Sequence, residues 1–401
     1  MIMKRIDLIS MLLVFFAGSC DKMDISDSQS DTFLKFYNTF PVCSGVDVKE
    51  ISSNGFAVIG TVESFTSGSQ VFLARTNKYG NLVDSIRHYG RSLDDRAYCL
   101  QVLSDGGFGI LASSQNPVTE RKEVYFIRTN SLGDTLWTKT IGGENNIEAR
   151  HFEVTSNGSF IMTGYAEKIT SGILNKDIWI YGMDEERNSL FSPRITGGIK
   201  DDEGIHLQIL ENGDYAITGR TMSYPTLSTS NHAFIFITRP NGITYIPYAM
   251  PSVADEAGAC IRSLDNETFL ILGNSKSAAT SANADIFLRK VKVSLSGSEV
   301  MWEQIYDFSS HDTGENIHFQ GNSIYILGTS SNVANFSSIA FITTGASGEN
   351  PVYTSFGQGS QMSASSFEIT TDNGFIFTGA NKNSDNSVSA ALIKTGANGS
   401  L

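Results

Sequence analysis

A short turn followed by an aromatic residue and an apolar segment recurs along almost the whole chain. Residues 104–108 read Ser-Asp-Gly-Gly-Phe, and residues 157–160 of the next copy read Asn-Gly-Ser-Phe. The aromatic positions lie 50 to 56 residues apart, at Phe56, Phe108, Phe160, Tyr215, Phe269, Tyr325 and Phe375. Glycine and asparagine suit the positive backbone angles of tight hairpin turns. The chain therefore contains seven copies of one structural unit.

Each copy contains four short apolar segments separated by turns. In the copy at residues 104–155 these segments are 108–112, 124–129, 136–140 and 149–155. Four such strands form one antiparallel sheet, which needs neighbouring sheets to cover its faces. A fixed period of this length is typical of a β-propeller. The sequence therefore predicts an all-β fold, a seven-bladed β-propeller built from four-stranded antiparallel blades.

The two ends of the chain complement each other. The seventh copy ends at residues 396–401, in the turn where its fourth strand is due. Residues 32–38 resemble residues 135–141, the strand that follows 124–129 in the copy at residues 104–155. We therefore expect the N-terminal strand to complete the last blade, which leaves few open sheet edges. The predicted propeller domain covers residues 32–401.

The first residues have the form of an export signal. Lys4 and Arg5 precede an apolar stretch at residues 8–17, which is too short to span a bilayer. Residues 17–20, Ala-Gly-Ser-Cys, resemble a bacterial lipobox, with Ala17 where leucine is usual. The resemblance implies a lipoprotein signal peptide at residues 1–19, lipid attachment at Cys20 and a polar tether at residues 20–31.

The repeats also resemble those of a known group of proteins. Asp-Gly-Gly-Phe at residues 105–108, Arg-Thr-Asn at 128–130, Trp137 and Gly-Gly at 142–143 look like the repeats of exported bacterial seven-bladed β-propeller lipoproteins of the Bacteroidota type. The resemblance implies a lipid anchor in the outer membrane of the cell envelope, with the propeller exposed at the surface or facing the periplasm. It implies a binding or assembly role, since such proteins mostly act as binding or assembly modules, although the fold itself hosts many functions.

Composition limits the partners and the chemistry. The formal net charge of −13 argues against nucleic acid, whose phosphates demand a basic surface. Apart from Cys20 there are three cysteines, an odd number that cannot pair fully within one exported molecule. Cys99 and Cys260 are predicted to be buried free thiols. We expect no cofactor, since the sequence contains no nucleotide-binding, hydrolase-elbow or zinc-protease motif.

Two functions remain after this search. The first is a binding or scaffold module without catalysis, whose partner is a glycan or another envelope protein. The alternative is a carbohydrate-active enzyme that uses acidic loops at the channel mouth as a carboxylate pair. Acidic loops that only keep an exported protein soluble explain the same residues. Carboxylates precede the expected innermost strands at Asp94, Asp95, Glu144, Glu148, residues 201–203, Asp255, Glu256, Asp312 and Glu315.

The innermost strands are predicted to line a polar axial channel. Alignment of these strands on the turn that follows brings one polar position of every copy into register, at Asp47, Cys99, His151, His206, Cys260, His318 and Ser366. Two residues further on, the same strand face carries Lys49, Gln101, Glu153, Gln208, Arg262, Gln320 and Glu368. Imidazole is a good ligand for zinc or copper, so His151 and His206 from adjacent copies are a candidate metal pair. A water-filled polar channel explains these residues without a metal.

Overall fold

The computed structural model describes residues 31–38, 40–52, 55–64, 68–91, 94–224, 228–250, 252–277, 283–334 and 336–401. The predicted signal peptide at residues 1–19, Cys20 and the tether up to residue 30 lie outside the described residues. Within the described residues, no helix is long and apolar enough to cross a membrane.

The described residues contain 28 β-strands. The first five are β1 (Phe33–Tyr37), β2 (Val42–Ile51), β3 (Gly55–Ser64), β4 (Gly68–Thr76) and β5 (Arg87–Tyr89). The next eight are β6 (Asp95–Val102), β7 (Phe108–Gln115), β8 (Lys122–Thr129), β9 (Thr135–Ile141), β10 (Ile147–Val154), β11 (Phe160–Thr170), β12 (Ile173–Met183) and β13 (Arg194–Thr196). They are followed by β14 (Asp202–Ile209), β15 (Tyr215–Thr221), β16 (His232–Thr238), β17 (Thr244–Ala249), β18 (Asp255–Ser263), β19 (Thr268–Lys276), β20 (Asp285–Ser294) and β21 (Gly297–Tyr306). The last seven are β22 (His311–Gln320), β23 (Ser323–Ser331), β24 (Ser337–Gly345), β25 (Val352–Phe356), β26 (Met362–Ile369), β27 (Phe375–Lys382) and β28 (Val388–Thr395).

The predicted all-β class is confirmed, but the prediction of seven separate four-stranded blades is wrong. The described strands form five separate four-stranded sheets, β6–β9, β10–β13, β14–β17, β18–β21 and β22–β25. The strands from the two ends of the chain form one eight-stranded sheet, in the order β26-β27-β28-β2-β3-β4-β5 with β1 also paired to β28. We call it the closing sheet. The physical reason is a parallel pairing of Val42 with Val388, which joins β2 to β28.

The N-terminal strand makes the pairing that its sequence suggested. β1 runs antiparallel to β28 from Phe33 opposite Lys394 to Tyr37 opposite Ala390. The hydroxyl group of Tyr37 also donates a hydrogen bond to the carbonyl oxygen of Gly80, 2.6 Å away. These contacts cover an edge of β28 that would otherwise expose unpaired backbone groups.

The aromatic residues of the repeat form the core between neighbouring sheets. Phe126 of β8 packs against Phe160 of β11, with ring centroids 4.8 Å apart, and against Phe152 of β10. Phe341 of β24 packs in the same way against Phe375 of β27. Full burial of such a side chain contributes roughly 1.5–3 kcal/mol. The repeated aromatic residue is therefore a packing element that holds one sheet against the next.

The turn before the repeated aromatic residue requires a left-handed backbone conformation. Gly106, Gly158 and Gly213 have φ angles of 78°, 83° and 84°, and Asn373 takes the same position with φ 61°. Glycine adopts this conformation without steric cost, and asparagine tolerates it better than most residues.

Seven strands carry a β-bulge at the same place. We call these the inner strands, β2, β6, β10, β14, β18, β22 and β26. In each, the pairing skips one residue after a glycine or alanine, for example between Gly204 and His206. A Cβ added at Gly204 would lie 2.3 Å from Oγ1 of Thr163 in the preceding sheet, so the position has no room for a side chain. The bulge changes the direction in which the side chains of the following residues point.

Candidate functional site

The inner strands enclose a central cavity of about 350 Å³. Because of the bulge, most inner strands present two consecutive side chains to this cavity and a third two residues later. The lining is mainly polar and charged. It consists of Val46, Asp47, Lys49, Tyr98, Cys99, Gln101, Arg150, His151, Glu153, Ile205, His206, Gln208, Arg262, Glu315, Asn316, His318, Ser365, Ser366 and Glu368.

The bulge also sets the register of the cavity residues. The residue directly after each bulge forms what we call the first ring, made of Asp47, Cys99, His151, His206, Cys260, Asn316 and Ser366. The second ring lies two residues further along each strand and consists of Lys49, Gln101, Glu153, Gln208, Arg262, His318 and Glu368.

This register corrects one position of the sequence alignment. Asn316 takes the first-ring position predicted for His318, and His318 lies in the second ring. The turn between β22 and β23 is shorter than the corresponding turns of the other sheets. The two strands are longer at this end, because β22 continues to Gln320 and β23 begins at Ser323, and this extra length compensates for the short turn. Gln320, which the alignment placed in the second ring, is exposed near the end of β22. Only the paired backbone reveals this compensation.

The two predicted thiols differ in their access to the cavity. Cys99 and Cys260 are free and buried, as predicted. Sγ of Cys99 lies 3.7 Å from the carbonyl oxygen of Phe152, and Cys99 lines the cavity. Cys260 packs in the core with its Sγ 3.4 Å from Oδ1 of Asn316. Burial raises the pKa of both thiols, so neither is prepared as a thiolate nucleophile or metal ligand.

Side chains of the first ring connect adjacent inner strands. Oδ2 of Asp47 accepts a hydrogen bond from the backbone N–H of Leu100, 2.8 Å away. Nδ1 of His151 lies 3.4 Å from the backbone nitrogen of Leu207 and accepts its hydrogen bond. The hydroxyl group of Ser366 donates to Asp47. The first ring therefore ties neighbouring strands together, and much of its hydrogen-bonding capacity is already used.

Two histidines and an arginine form a compact group in the cavity. The rings of His151 and His206 stack with their centroids 3.8 Å apart. Nη1 of Arg262 lies 2.9 Å from Nε2 of His206, and because arginine is only a donor, Nε2 accepts and the proton of His206 is on Nδ1. Burial, together with the charge of Arg262, holds the pKa of His151, His206 and His318 well below its ordinary value. The three imidazoles are therefore neutral.

This group lacks the ligands that a metal site requires. In the described part of the chain, no three His, Cys, Asp or Glu side chains are arranged to hold a metal ion. One ring nitrogen of His151 and one of His206 already accept hydrogen bonds. A structural zinc site usually needs four ligands, so the pair is incomplete.

The second ring contains groups with unused hydrogen-bonding capacity. Nζ of Lys49 lies 3.4 Å from Oδ1 of Asp47. Burial lowers the pKa of Lys49, but the carboxylates of Asp47 and Glu368 outweigh it and raise that pKa above its usual value. Burial raises the pKa of Glu153 more than Arg262 and Lys49 lower it. No described residue donates a hydrogen bond to the carboxyl group of Glu153.

Two further carboxyl groups of the cavity hold their protons more strongly than usual. Burial raises the pKa of Glu315 to about 7, while the hydroxyl group of Thr313 opposes this shift. Burial also raises the pKa of Glu368, which accepts a hydrogen bond from the backbone N–H of Glu50 at 2.6 Å. The charge of the cavity therefore becomes more positive as the pH falls.

Several of the acidic residues predicted to precede the inner strands lie instead in the first residues of those strands, and they have mainly structural partners. Glu148 accepts hydrogen bonds from Tyr98 and Tyr165, and its pKa is lowered to about 2 because these bonds and nearby cations outweigh its burial. Glu256 accepts two hydrogen bonds from Arg289, at 2.7 and 2.9 Å.

Three buried aspartates hold the preceding loops. Oδ2 of Asp95 accepts the backbone N–H of Arg91 at 2.8 Å, and Oδ2 of Asp202 accepts that of Gly198 at 3.0 Å. Asp312 accepts the backbone N–H of Phe308 at 2.7 Å. In each pair the donor lies four residues before the carboxylate, a spacing that sequence reasoning missed.

Comparison with known proteins identifies the fold and nothing finer. No protein-family model and no curated protein matches the sequence significantly. Solved structures do match. A polysaccharide lyase of family PL25, an ulvan lyase, has a TM-score of 0.55 at 11% identity, covering 90% of this chain and 96% of that one. YCF48 bound to a D1 peptide has a TM-score of 0.51 at 10% identity, with 91% and 97% covered.

A third matching structure is itself described as a β-propeller. The β-propeller domain of the Trilobed protease from Pyrococcus furiosus has a TM-score of 0.50 at 10% identity, covering 88% of this chain and 95% of that domain. The fold is a β-propeller. At such low identity the likeness carries the architecture alone, because one β-propeller fold hosts both enzymes and binding proteins.

Proposed function

We propose that this β-propeller is a binding module of the bacterial cell envelope without catalytic activity. It is anchored in the outer membrane by a lipid on Cys20 and binds a small polar ligand in its central cavity. The observation that carries the proposal is the pair of Lys49 and Glu153. Both charged groups face the cavity with hydrogen-bonding capacity that the described residues do not fill.

The chemistry of this pair defines the ligand class. The ammonium group of Lys49 needs an acceptor, and the carboxyl group of Glu153 needs a donor when it is ionised. Hydroxyl and amide groups supply both, so polyols, sugars and short peptides fit the cavity. Nucleic acid does not, because the protein carries a net charge of −13.

Several features favour binding over hydrolysis. The cavity thiol is protonated, and His151 and His206 each already use a ring nitrogen to accept a hydrogen bond. Near the starts of β10 and β18, Glu148 and Glu256 already accept hydrogen bonds from tyrosine hydroxyls or arginine. A general acid or base must reach the substrate with its proton-transfer atom available, so these groups are poorly placed for catalysis. The carboxyl groups of Glu153 and Glu315 remain accessible from the cavity, and the test therefore includes a search for hydrolysis products.

The ligand site can be tested by calorimetric titration of the full chain in detergent with polyols, neutral oligosaccharides and dipeptides. We expect one class to bind, and Lys49→Met and Glu153→Gln to weaken binding about tenfold or more. Lys382→Met, at an exposed position, is the matched control and should bind like the wild type. Unaltered affinity in both cavity variants, or release of hydrolysis products, would contradict the proposal.

The anchor can be tested separately by cell fractionation and fatty-acid labelling. Cys20→Ala should move the protein from the membrane fraction to the soluble fraction and abolish the label. Ser28→Ala in the tether should leave both unchanged. Labelling that persists in Cys20→Ala would exclude this attachment site.

A further inference from the structure

A second cleft lies outside the central cavity, on the sheet β22–β25. Its volume is about 330 Å³. The loop before β22 contributes Phe308, the loop between β23 and β24 contributes Asn332 and Phe336, and the outer strand β25 contributes Tyr353 and Ser355. The cleft is therefore built by one sheet and its loops, and it shares no lining residue with the central cavity.

Aromatic side chains form one wall of this cleft. The rings of Phe308 and Tyr353 stack with their centroids 4.5 Å apart. Behind them Tyr306 lies parallel to Phe308 at 6.3 Å and is held by a hydrogen bond from its hydroxyl group to the carbonyl oxygen of Gly348. Phe308 and Phe336 are 36% and 45% exposed. Contact between an exposed aromatic surface of this kind and water is unfavourable in free energy, and a ligand that covers the surface removes that contact.

The remaining lining is polar but carries no ionisable side chain apart from the phenol of Tyr353. It comprises five serines, Asn332, Gln358 and a glycine. Oγ of Ser355 is shielded from solvent and has no hydrogen-bond partner among the described residues. Oδ1 of Asn332 accepts the backbone N–H groups of Ala334 and Phe336, which leaves its amide hydrogens available as donors.

We propose that this cleft binds a ring of a neutral oligosaccharide. A pyranose ring has an apolar C–H face, which packs on an aromatic surface such as that of Phe308 and Tyr353. Its hydroxyl groups both donate and accept, which matches the amides of Asn332 and Gln358 and the serine hydroxyl groups of the lining. A charged ligand would lose hydration without gaining an ionic partner, so acidic sugars and phosphates are disfavoured. A purely apolar peptide would leave the hydroxyl groups unsatisfied.

The test is calorimetric titration of the full chain with cellohexaose, maltohexaose, laminarihexaose and mannohexaose, with hexagalacturonate as the charged comparison. We expect at least one neutral hexaose to bind and hexagalacturonate to bind at least about tenfold more weakly. Phe308→Ala and Tyr353→Ala should each lower the affinity about tenfold or more. Phe319→Ala, which removes an exposed phenylalanine of β22 outside the cleft, is the matched control and should bind like the wild type.

Gln358→Ala separates binding from folding. The variant shortens an exposed side chain of the cleft for which no hydrogen bond is described, so its thermal stability should equal that of the wild type while its affinity for the sugar falls. The proposal is overturned if no neutral hexaose binds with a Kd below about 1 mM. It is also overturned if binding persists in both Phe308→Ala and Tyr353→Ala, or if hexagalacturonate binds more tightly.

Discussion

The hydroxyl group of Ser366 donates a hydrogen bond to Oδ1 of Asp47 over 2.6 Å, although 319 residues separate them in the chain. The bond connects β26, the last inner strand, to β2, the first. Asp47 also accepts the backbone N–H groups of Val48 and Leu100, at 2.9 and 2.8 Å. One carboxylate thus joins three inner strands at the point where the chain closes on itself.

Replacement of Asp47 should therefore destabilise the whole fold. In Asp47→Ala the backbone N–H of Leu100 loses its acceptor inside the protein, and we expect a loss of about 1–3 kcal/mol in the free energy of unfolding. Asp47→Asn keeps an acceptor oxygen and should lose less. Urea denaturation followed by tyrosine fluorescence measures the difference. Equal stability of Asp47→Ala and the wild type would show that this carboxylate does not secure the closure.

The N-terminal strand should be necessary for a soluble product. Deletion of residues 1–38 removes β1 and uncovers the edge of β28 between Ala390 and Lys394. An uncovered edge pairs readily with other chains, so we expect a lower melting temperature and aggregation. Deletion of residues 1–30 keeps β1 and is the matched control. Light scattering during a thermal scan distinguishes the two, and identical scans would contradict a closing role for β1.

The size of the residue before each bulge should be limited by contact with the preceding sheet. In Gly204→Ala the new Cβ would meet Oγ1 of Thr163 at 2.3 Å, while the next nearest atom, the carbonyl oxygen of Gly164, lies at 3.3 Å. We expect Gly204→Ala to cost about 1–3 kcal/mol of stability through overpacking. Most of this loss should disappear when Thr163→Ala is added, because the clashing hydroxyl group is then absent.

A second glycine provides the control for this double-mutant cycle. A Cβ at Gly219 would lie 2.0 Å from the carbonyl oxygen of Glu203, a backbone atom that no side-chain truncation removes. The losses of stability caused by Gly219→Ala and Thr163→Ala should therefore be additive. Simple additivity of Gly204→Ala and Thr163→Ala would refute the steric explanation.

Glu315 should make the protein less stable as the pH rises. Its pKa is about 7 in the folded protein against an ordinary value of 4.5, so between these values the folded state binds more protons than the unfolded state. The stability from this group is present below pH 4.5 and is lost as the pH rises through 7. The cavity histidines act in the opposite direction, because their lowered pKa values make stability rise with pH below about 6.5.

A comparison of variants isolates the contribution of Glu315. Glu315→Gln carries no titrating proton. The free energy of unfolding of this variant minus that of the wild type should therefore increase by about 1–3 kcal/mol when the pH is raised from 5 to 8. The exposed Glu299→Gln should show no such gain. Urea denaturation at both pH values measures it. A stability difference that is independent of pH would mean that Glu315 titrates normally.

Several features were determined by the sequence itself. The period of 50 to 56 residues and the turn before each aromatic residue indicated an all-β repeat, because turn chemistry and strand patterning are local properties. Phe108, Phe160 and Phe375 of this pattern are all buried in the structure. The pairing of residues 33–37 with β28 followed from comparison of one repeat with another.

Other features were decided only by the tertiary structure. The pairing of Val42 with Val388 merges strands from both ends of the chain into one sheet, and two residues 346 positions apart leave no local signal of their contact. Asn316 displaced His318 from the first ring because a backbone bulge, and not the length of the next turn, sets the register. The cleft of Phe308, Tyr353 and Ser355 likewise arises from loops that fold together over one sheet. The physical reason is common to all three: side-chain patterning acts between near neighbours, whereas register, sheet boundaries and clefts depend on backbone pairing and packing between distant segments.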